Sequence, residues 1–185
     1  MDSIYVMEKL ISEGHTVVSI HVNVASELSD IHADKAKLFA DYYGIDHKEI
    51  KIDFGIDVHN YKRDIGVDDV YAGICAYQGV VSTVSAASLA RMLGCSALYT
   101  GQYPADFIDY KLYLKMMAGV LGSEYRSHSN PVPHPTINIG IESDEILEVN
   151  EWARNHPMKD HFIYCKQSYP PCGECYKCET RTFLR

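Results

Sequence analysis

Four of the six cysteines, Cys165, Cys172, Cys175 and Cys178, fall within 14 residues in the pattern Cys-x6-Cys-Gly-x-Cys-x2-Cys. Four thiolates close a tetrahedral shell around Zn²⁺ at about 2.3 Å. The short steps between 172, 175 and 178 let a tight turn aim successive sulfurs at one point. Gly173 gives the backbone the freedom that turn needs, and Pro170-Pro171 stiffens the approach. Lys166, Lys177 and Arg181 lie close in sequence and favour the thiolate forms. A closed four-cysteine shell has no open position, so the metal is expected to be structural. A disulfide scaffold would spread its cysteines and need an oxidising compartment, whereas a tight quartet points to a metal site in a reducing cytosol.

The remaining candidates are weaker. Asp2 and Ser3 stand where a helix begins and can cap its free N–H groups. His32 reads first as a surface histidine just past a helix cap. His128 and His134 lie among Pro131, Pro133 and Pro135, which reads as a rigid loop rather than a metal site. Met116, Met117 and Trp152 read as packing positions on helices.

The elements that must position these residues alternate. Residues 2–13 have apolar spacing that suits a helix, stopped by Gly14. Residues 16–24 are β-branched and read as a strand. Residues 30–43 return to helical spacing, with Asp30 as a cap and Gly44 as the stop, and residues 48–54 alternate like a strand. Residues 55–80 hold four glycines and read as a loop excursion with at most a short helix. A helix over 81–94, a strand over 96–100, a loop over 101–109 and a helix over 110–121 follow. A strand at 137–141 and a helix opened by Ser143 and stopped by Pro157 precede the cysteine tail. Strict alternation predicts an α/β fold with a parallel sheet and crossover helices. Such a sheet normally opens on a strand, a tight loop and then the first helix, whereas these residues open on the helix.

Composition narrows the function classes. A chain of 185 residues with 46% hydrophobic residues is expected to form one domain with a full core. Its formal charge of −8 argues against direct nucleic-acid binding, which needs a basic face. No apolar run approaches the ~20 residues of a membrane span, and the start lacks the basic region of a signal peptide.

Taken together, Met1-Asp2-Ser3 and the tail of Cys165, Cys172-Gly173-Glu174-Cys175, Cys178 and Arg181 resemble the 7-cyano-7-deazaguanine synthase family of PP-loop ATP pyrophosphatases. In that family a strand leads into Ser-Gly-Gly-x-Asp-Ser and a helix. Met1-Asp2-Ser3 matches the last three positions, and residues 15–52 follow the family's strand, histidine-bearing loop (here His32), helix, Gly and second strand. Gly101 and Asp106-Phe107 match part of a later run.

The resemblance implies a Rossmann-like parallel α/β sheet of the adenine nucleotide alpha hydrolase type, with helices on both faces. It implies one domain over residues 1–185 with a zinc motif at 165–178, in a cytoplasmic homodimer. The implied reaction is a ligase reaction that turns 7-carboxy-7-deazaguanine and ammonia into 7-cyano-7-deazaguanine, a queuosine precursor, using ATP with Mg²⁺. Asp2 and Ser3 would then face the ATP phosphates, Asp2 also serving Mg²⁺. Gly101 and Asp106 would face the substrate, and Cys165, Cys172, Cys175 and Cys178 would hold structural zinc. No catalytic residue is singled out.

Two departures bear on activity. Ser-Gly-Gly and its strand are not among the 185 residues, so the domain is expected to be truncated at its N-terminus and weak or inactive by itself. Ala76-Tyr77-Gln78-Gly79 stands where the family has a Pro-Gly-Arg-Asn-like segment, and it supplies no Arg. Two further classes therefore stay open: a related PP-loop enzyme with a different acceptor, and a non-catalytic zinc-stabilised paralogue or fragment.

Overall fold

The structure, a computed structural model, describes residues 1–24, 27–53, 70–102, 115, 119, 135–141, 145–162 and 173. The elements are α1 (Asp2–Ser12), β1 (Val18–Asn23), α2 (Glu27–Tyr43), β2 (Asp46–Lys51), α3 (Val70–Met92), β3 (Ala97–Thr100), β4 (Thr136–Ile139) and α4 (Ile146–Asn155). A turn of 3₁₀ helix, Lys159–His161, follows. Helices and strands alternate as an α/β fold, and both strand pairs are parallel. β1 pairs with β2 in the register Val18 to Asp46, and β3 with β4 in the register Ala97 to Thr136. Among the described residues the strands form two two-stranded sheets rather than one continuous sheet.

Glycine sets where the first three helices stop. Gly14, Gly44 and Gly94 take φ values of +85°, +65° and +74°. Each lets the next N–H, of His15, Ile45 or Cys95, reach back to the carbonyl of Leu10, Ala40 or Ala90 at 2.9–3.0 Å. That bond satisfies a helix-end carbonyl, and the left-handed backbone it requires carries no Cβ penalty in glycine.

Several expectations need correction. The N-cap of α1 is Met1, with no side-chain cap hydrogen bond, so Asp2 and Ser3 lie in the first turn rather than before it. Helix α2 begins at Glu27, which places Asp30 inside the helix. Its Oδ1 instead accepts from Asn23 Nδ2 at 2.7 Å and Lys51 Nζ at 3.3 Å. Helix α3 starts at Val70, so the last part of the expected loop excursion is helical. The expected helix at 110–121 lies outside the described residues apart from Lys115 and Gly119, both helical. Met116, Met117, His128 and His134 also lie outside them.

Helices α1, α2 and α4 share one apolar core. Tyr5 and Val6 pack with Ile141 and Val149, while Met7 packs with Phe39, Ala153 and Phe162. Trp152 lies against both groups, as the sequence predicts for a packing residue. Each large side chain buried this way contributes roughly 1.5–3 kcal/mol. Polar ties fix how α1 meets the start of α4: Tyr5 Oη donates to Glu148 Oε1 at 2.8 Å, and Lys9 Nζ meets Glu145 Oε1 at 2.5 Å. Among the described residues no side chain of α3 belongs to these clusters. Helix α3 lies against β1 and β3, and its buried Ala86, Ala87 and Ala90 permit close approach. Among the described residues strand β2 is a polar edge, with Asp46, Lys48, Glu49 and Lys51 exposed, a composition that discourages edge-to-edge pairing.

Candidate site at the start of helix α1

Helix α1 lies against β3. Its first turn lies at the end of β3, where Ser3 meets Gly101, and its last turn leads through Gly14 into β1. The C-terminal end of β3 therefore lies at the start of α1. In open parallel sheets, ligands bind outside the carboxyl ends of the strands.

Two glycines make this approach possible. A Cβ on Gly101 would overlap the backbone N, Cα and Oγ of Ser3. A Cβ on Gly140, just past β4, would lie 2.5 and 2.6 Å from the two Val6 methyl carbons and 3.0 Å from the Thr100 carbonyl oxygen. Only residues without a side chain let α1 cross the ends of β3 and β4 this closely. Sequence reasoning nominates Gly101 but passes over Gly140. The available signal is a glycine inside the apolar strand pattern Ile137-Asn138-Ile139-Gly140-Ile141, which marks close backbone approach.

The same end of the molecule gathers hydrogen-bonding groups. The first N–H groups of any α-helix lack intrahelical partners and carry its positive dipole end. Ser3 adds a hydroxyl there. Thr100 Oγ1 and Gln102 Oε1 are buried with no hydrogen-bond partner among the described residues. Thr100 and Gln102 line one cavity with Ser3 and Gly101, about 460 Å³ in volume. That cavity continues as a slot between β1 and β3, lined by Val18, Ile20 and Val22 on one side and Ala97, Leu98 and Thr100 on the other. No Lys or Arg is among its described lining residues. The Ser3 and Thr100 hydroxyls and the helix N–H groups are neutral donors that can hold an anion through hydrogen bonds and the helix dipole, whereas Gln102 Oε1 accepts.

The structure thus brings together Ser3 and Gly101, with Asp2 in the same turn. Asp106 and the four cysteines, Cys165, Cys172, Cys175 and Cys178, lie outside the described residues, as does the segment after Gln102. Gly173, between the first two closely spaced cysteines, is described and takes φ +84°. That is the left-handed turn geometry a Cys-Gly-x-Cys loop uses to bring two sulfurs to one side, and four thiolates are a donor set suited to zinc. Among the described residues no group of three or more His, Cys, Asp or Glu side chains is arranged to hold a metal. His32 is half-buried on α2.

A second polar cluster goes unread in the sequence. His156 is 5% exposed, inside rings from Phe39, Tyr42, Tyr43, Trp152 and Phe162 at 4.8–6.2 Å between centroids. The Met158 N–H donates to its Nδ1 at 3.0 Å, which leaves the proton of the neutral ring on Nε2. Nε2 lies 2.8 Å from Tyr43 Oη, which in turn donates to Glu8 Oε2. Burial holds the His156 pKa below the usual 6.5 despite the nearby Glu8 carboxylate. Burial and the Glu8 contact together push the Tyr43 phenol well above its ordinary value. This chain links α1, α2 and the end of α4, away from the described lining of the slot.

Among the described residues no helix is long and apolar enough to cross a membrane. No protein-family model, curated protein or solved structure matches this chain.

Proposed function

We propose that the chain is a PP-loop ATP pyrophosphatase-type ligase that makes 7-cyano-7-deazaguanine from 7-carboxy-7-deazaguanine and ammonia. The observation that carries this is the close approach of Ser3, in the first turn of α1, to Gly101 at the carboxyl end of β3. Two residues nominated separately for phosphate and substrate meet there, at the end of parallel strands where such ligands bind. The ATP phosphates lie against the start of α1, with Ser3 Oγ–H and the helix N–H groups as donors. Asp2 supplies a hard carboxylate oxygen suited to Mg²⁺ beside them. The sheet extends to a Rossmann-like arrangement, and the protein acts as a cytoplasmic homodimer.

In the proposed reaction the substrate carboxylate attacks the α-phosphorus of ATP and pyrophosphate leaves. Ammonia then displaces AMP to give the amide. The amide oxygen then attacks the α-phosphorus of a second ATP, releasing pyrophosphate and one N–H proton to give an imidate adenylate, and loss of AMP and the remaining N–H proton leaves the nitrile. Cys165, Cys172, Cys175 and Cys178 hold structural zinc and fix the tail. A related enzyme with a different acceptor is the second reading. It is favoured by Ala76-Tyr77-Gln78-Gly79, which offers no Arg to a deazapurine or nucleotide.

An ATP titration followed by amide chemical shifts tests the location. It is run on a form extended ahead of Met1 by a strand and Ser-Gly-Gly. Saturable shifts are expected at Ser3, Ile4 and Thr100–Gln102, and they are lost in Gly101→Val, whose side chain displaces Ser3. Saturable shifts confined to other elements would reject the proposed site.

A further inference from the structure

Thr100 Oγ1 and Gln102 Oε1 are buried and have no hydrogen-bond partner among the described residues. They flank Gly101 in sequence, and both residues line the cavity that Ser3 and Gly101 border. Buried polar atoms in native proteins are hydrogen-bonded, so this pair calls for a ligand atom. An amide oxygen only accepts, and a hydroxyl accepts as well as donates. A small group carrying several N–H donors serves both at once. The Thr100 hydroxyl proton stays available to a phosphate beside it.

Charge narrows the class. Helices α1 and α3 and strand β4 pack against β3. Of their charged side chains, Asp2, Glu8 and Lys9 of α1 and Arg91 of α3 do not line the cavity. The titratable residues that do are His15, Cys95 and Tyr99. His15 follows the last turn of α1 and Cys95 precedes β3, so both lie at the end away from Ser3 and Gly101. Tyr99 is exposed. Burial without an opposite charge penalises an ammonium ion and favours its neutral form. Neutral ammonia is also the form that keeps a lone pair for attack.

We propose that Thr100 Oγ1 and Gln102 Oε1 seat the ammonia nucleophile. Each accepts one N–H, which leaves the third N–H and the lone pair free. The proposal rests on the nitrile-synthesis reading for its electrophile, the acyl adenylate held at the start of α1. In the step it serves, the nitrogen lone pair forms the C–N bond. The C–O bond to AMP breaks, its electron pair leaves on AMP, and the nitrogen gives one proton to water.

Carbon-13 shifts of the Thr100 methyl and the Gln102 side chain test it in the 185-residue chain, without turnover. The chain is titrated with ammonium chloride at pH 7 and pH 9, and in parallel with potassium chloride. Saturable shifts at both residues are expected with ammonium chloride alone. Half-saturation is expected at about tenfold or more lower total concentration at pH 9, because binding follows the neutral fraction. Gln102→Leu is expected to weaken binding about tenfold or more. Gln102→Glu supplies a carboxylate that holds ammonium, so it is expected to abolish the gain at pH 9. If Gln102→Leu does not fold, Gln102→Glu and the unaltered chain decide. Three results overturn the seat: no saturable shift at either residue, shifts that potassium chloride reproduces, or a full pH 9 gain in Gln102→Glu. Nitrile synthesis without these shifts rejects the seat alone. Ammonia-specific shifts without nitrile synthesis reject the reaction and leave the binding site standing.

Discussion

At the scale of single residues, His156 carries a pH dependence that its position dictates. Its folded-state pKa lies below 6.5, chiefly through burial, with Glu8 opposing. A histidine held neutral in the fold binds fewer protons than it does unfolded, so its contribution is present above about pH 6.5 and is lost as pH falls below it. Protonating Nδ1 would also remove the acceptor for the Met158 N–H. Urea midpoints are expected to fall between pH 7.5 and pH 5.5. His156→Ala is expected to lower stability by about 2–3 kcal/mol at pH 7.5, by opening the aromatic cluster and leaving the Tyr43 hydroxyl short of a partner. It should also make the pH slope shallower. Some slope remains, because His21 and His47 are likewise held below 6.5 by burial. An unchanged slope in the variant would remove His156 from this role. None of this is legible from the sequence, since a histidine before Pro157 has no spacing that marks the rings of α2 and α4 around it. Ser3 and Gly101 are legible only as motif positions, and their contact belongs to the tertiary fold.

At the scale of elements, the parts with local signals are the ones the sequence predicts well. Gly14, Gly44 and Gly94 stop helices because the left-handed residue must follow the last turn, whatever the rest of the fold does. Gly94→Ala is expected to cost about 1 kcal/mol, read as a lower urea midpoint with an unchanged slope. No loss would mean the Cys95-to-Ala90 bond forms without help from glycine. The start of α3 at Val70 is missed for an equally physical reason. Gly73 and Gly79 fall inside it, and interior glycines oppose a helix by about 1 kcal/mol each. The helix also lies against two strands, so it carries no single apolar stripe to read. The same balance explains Asp30. Its residue type suits a cap, but Asn23 and Lys51 across β1 and β2 draw its carboxylate into a tertiary network.

At the scale of the whole molecule, the α/β class follows from alternation alone, while the division into two strand pairs among the described residues depends on pairing that no local pattern encodes. The cysteine tail adds a separable expectation. One zinc per chain is expected by elemental analysis, and Cys175→Ala should lose it and lower stability, since metal binding contributes directly to folding. Full zinc retention in that variant would contradict a four-thiolate shell. The central claim, nitrile synthesis driven by ATP at the start of α1, is tested most directly by product formation. ATP, 7-carboxy-7-deazaguanine and ammonia are incubated with the 185-residue chain and with the form extended by a strand and Ser-Gly-Gly, and the products are read by mass spectrometry. Nitrile with pyrophosphate from the extended form, and little or none from the 185-residue chain, is the expected result. A folded, zinc-loaded extended form that consumes no ATP and makes no nitrile would contradict it.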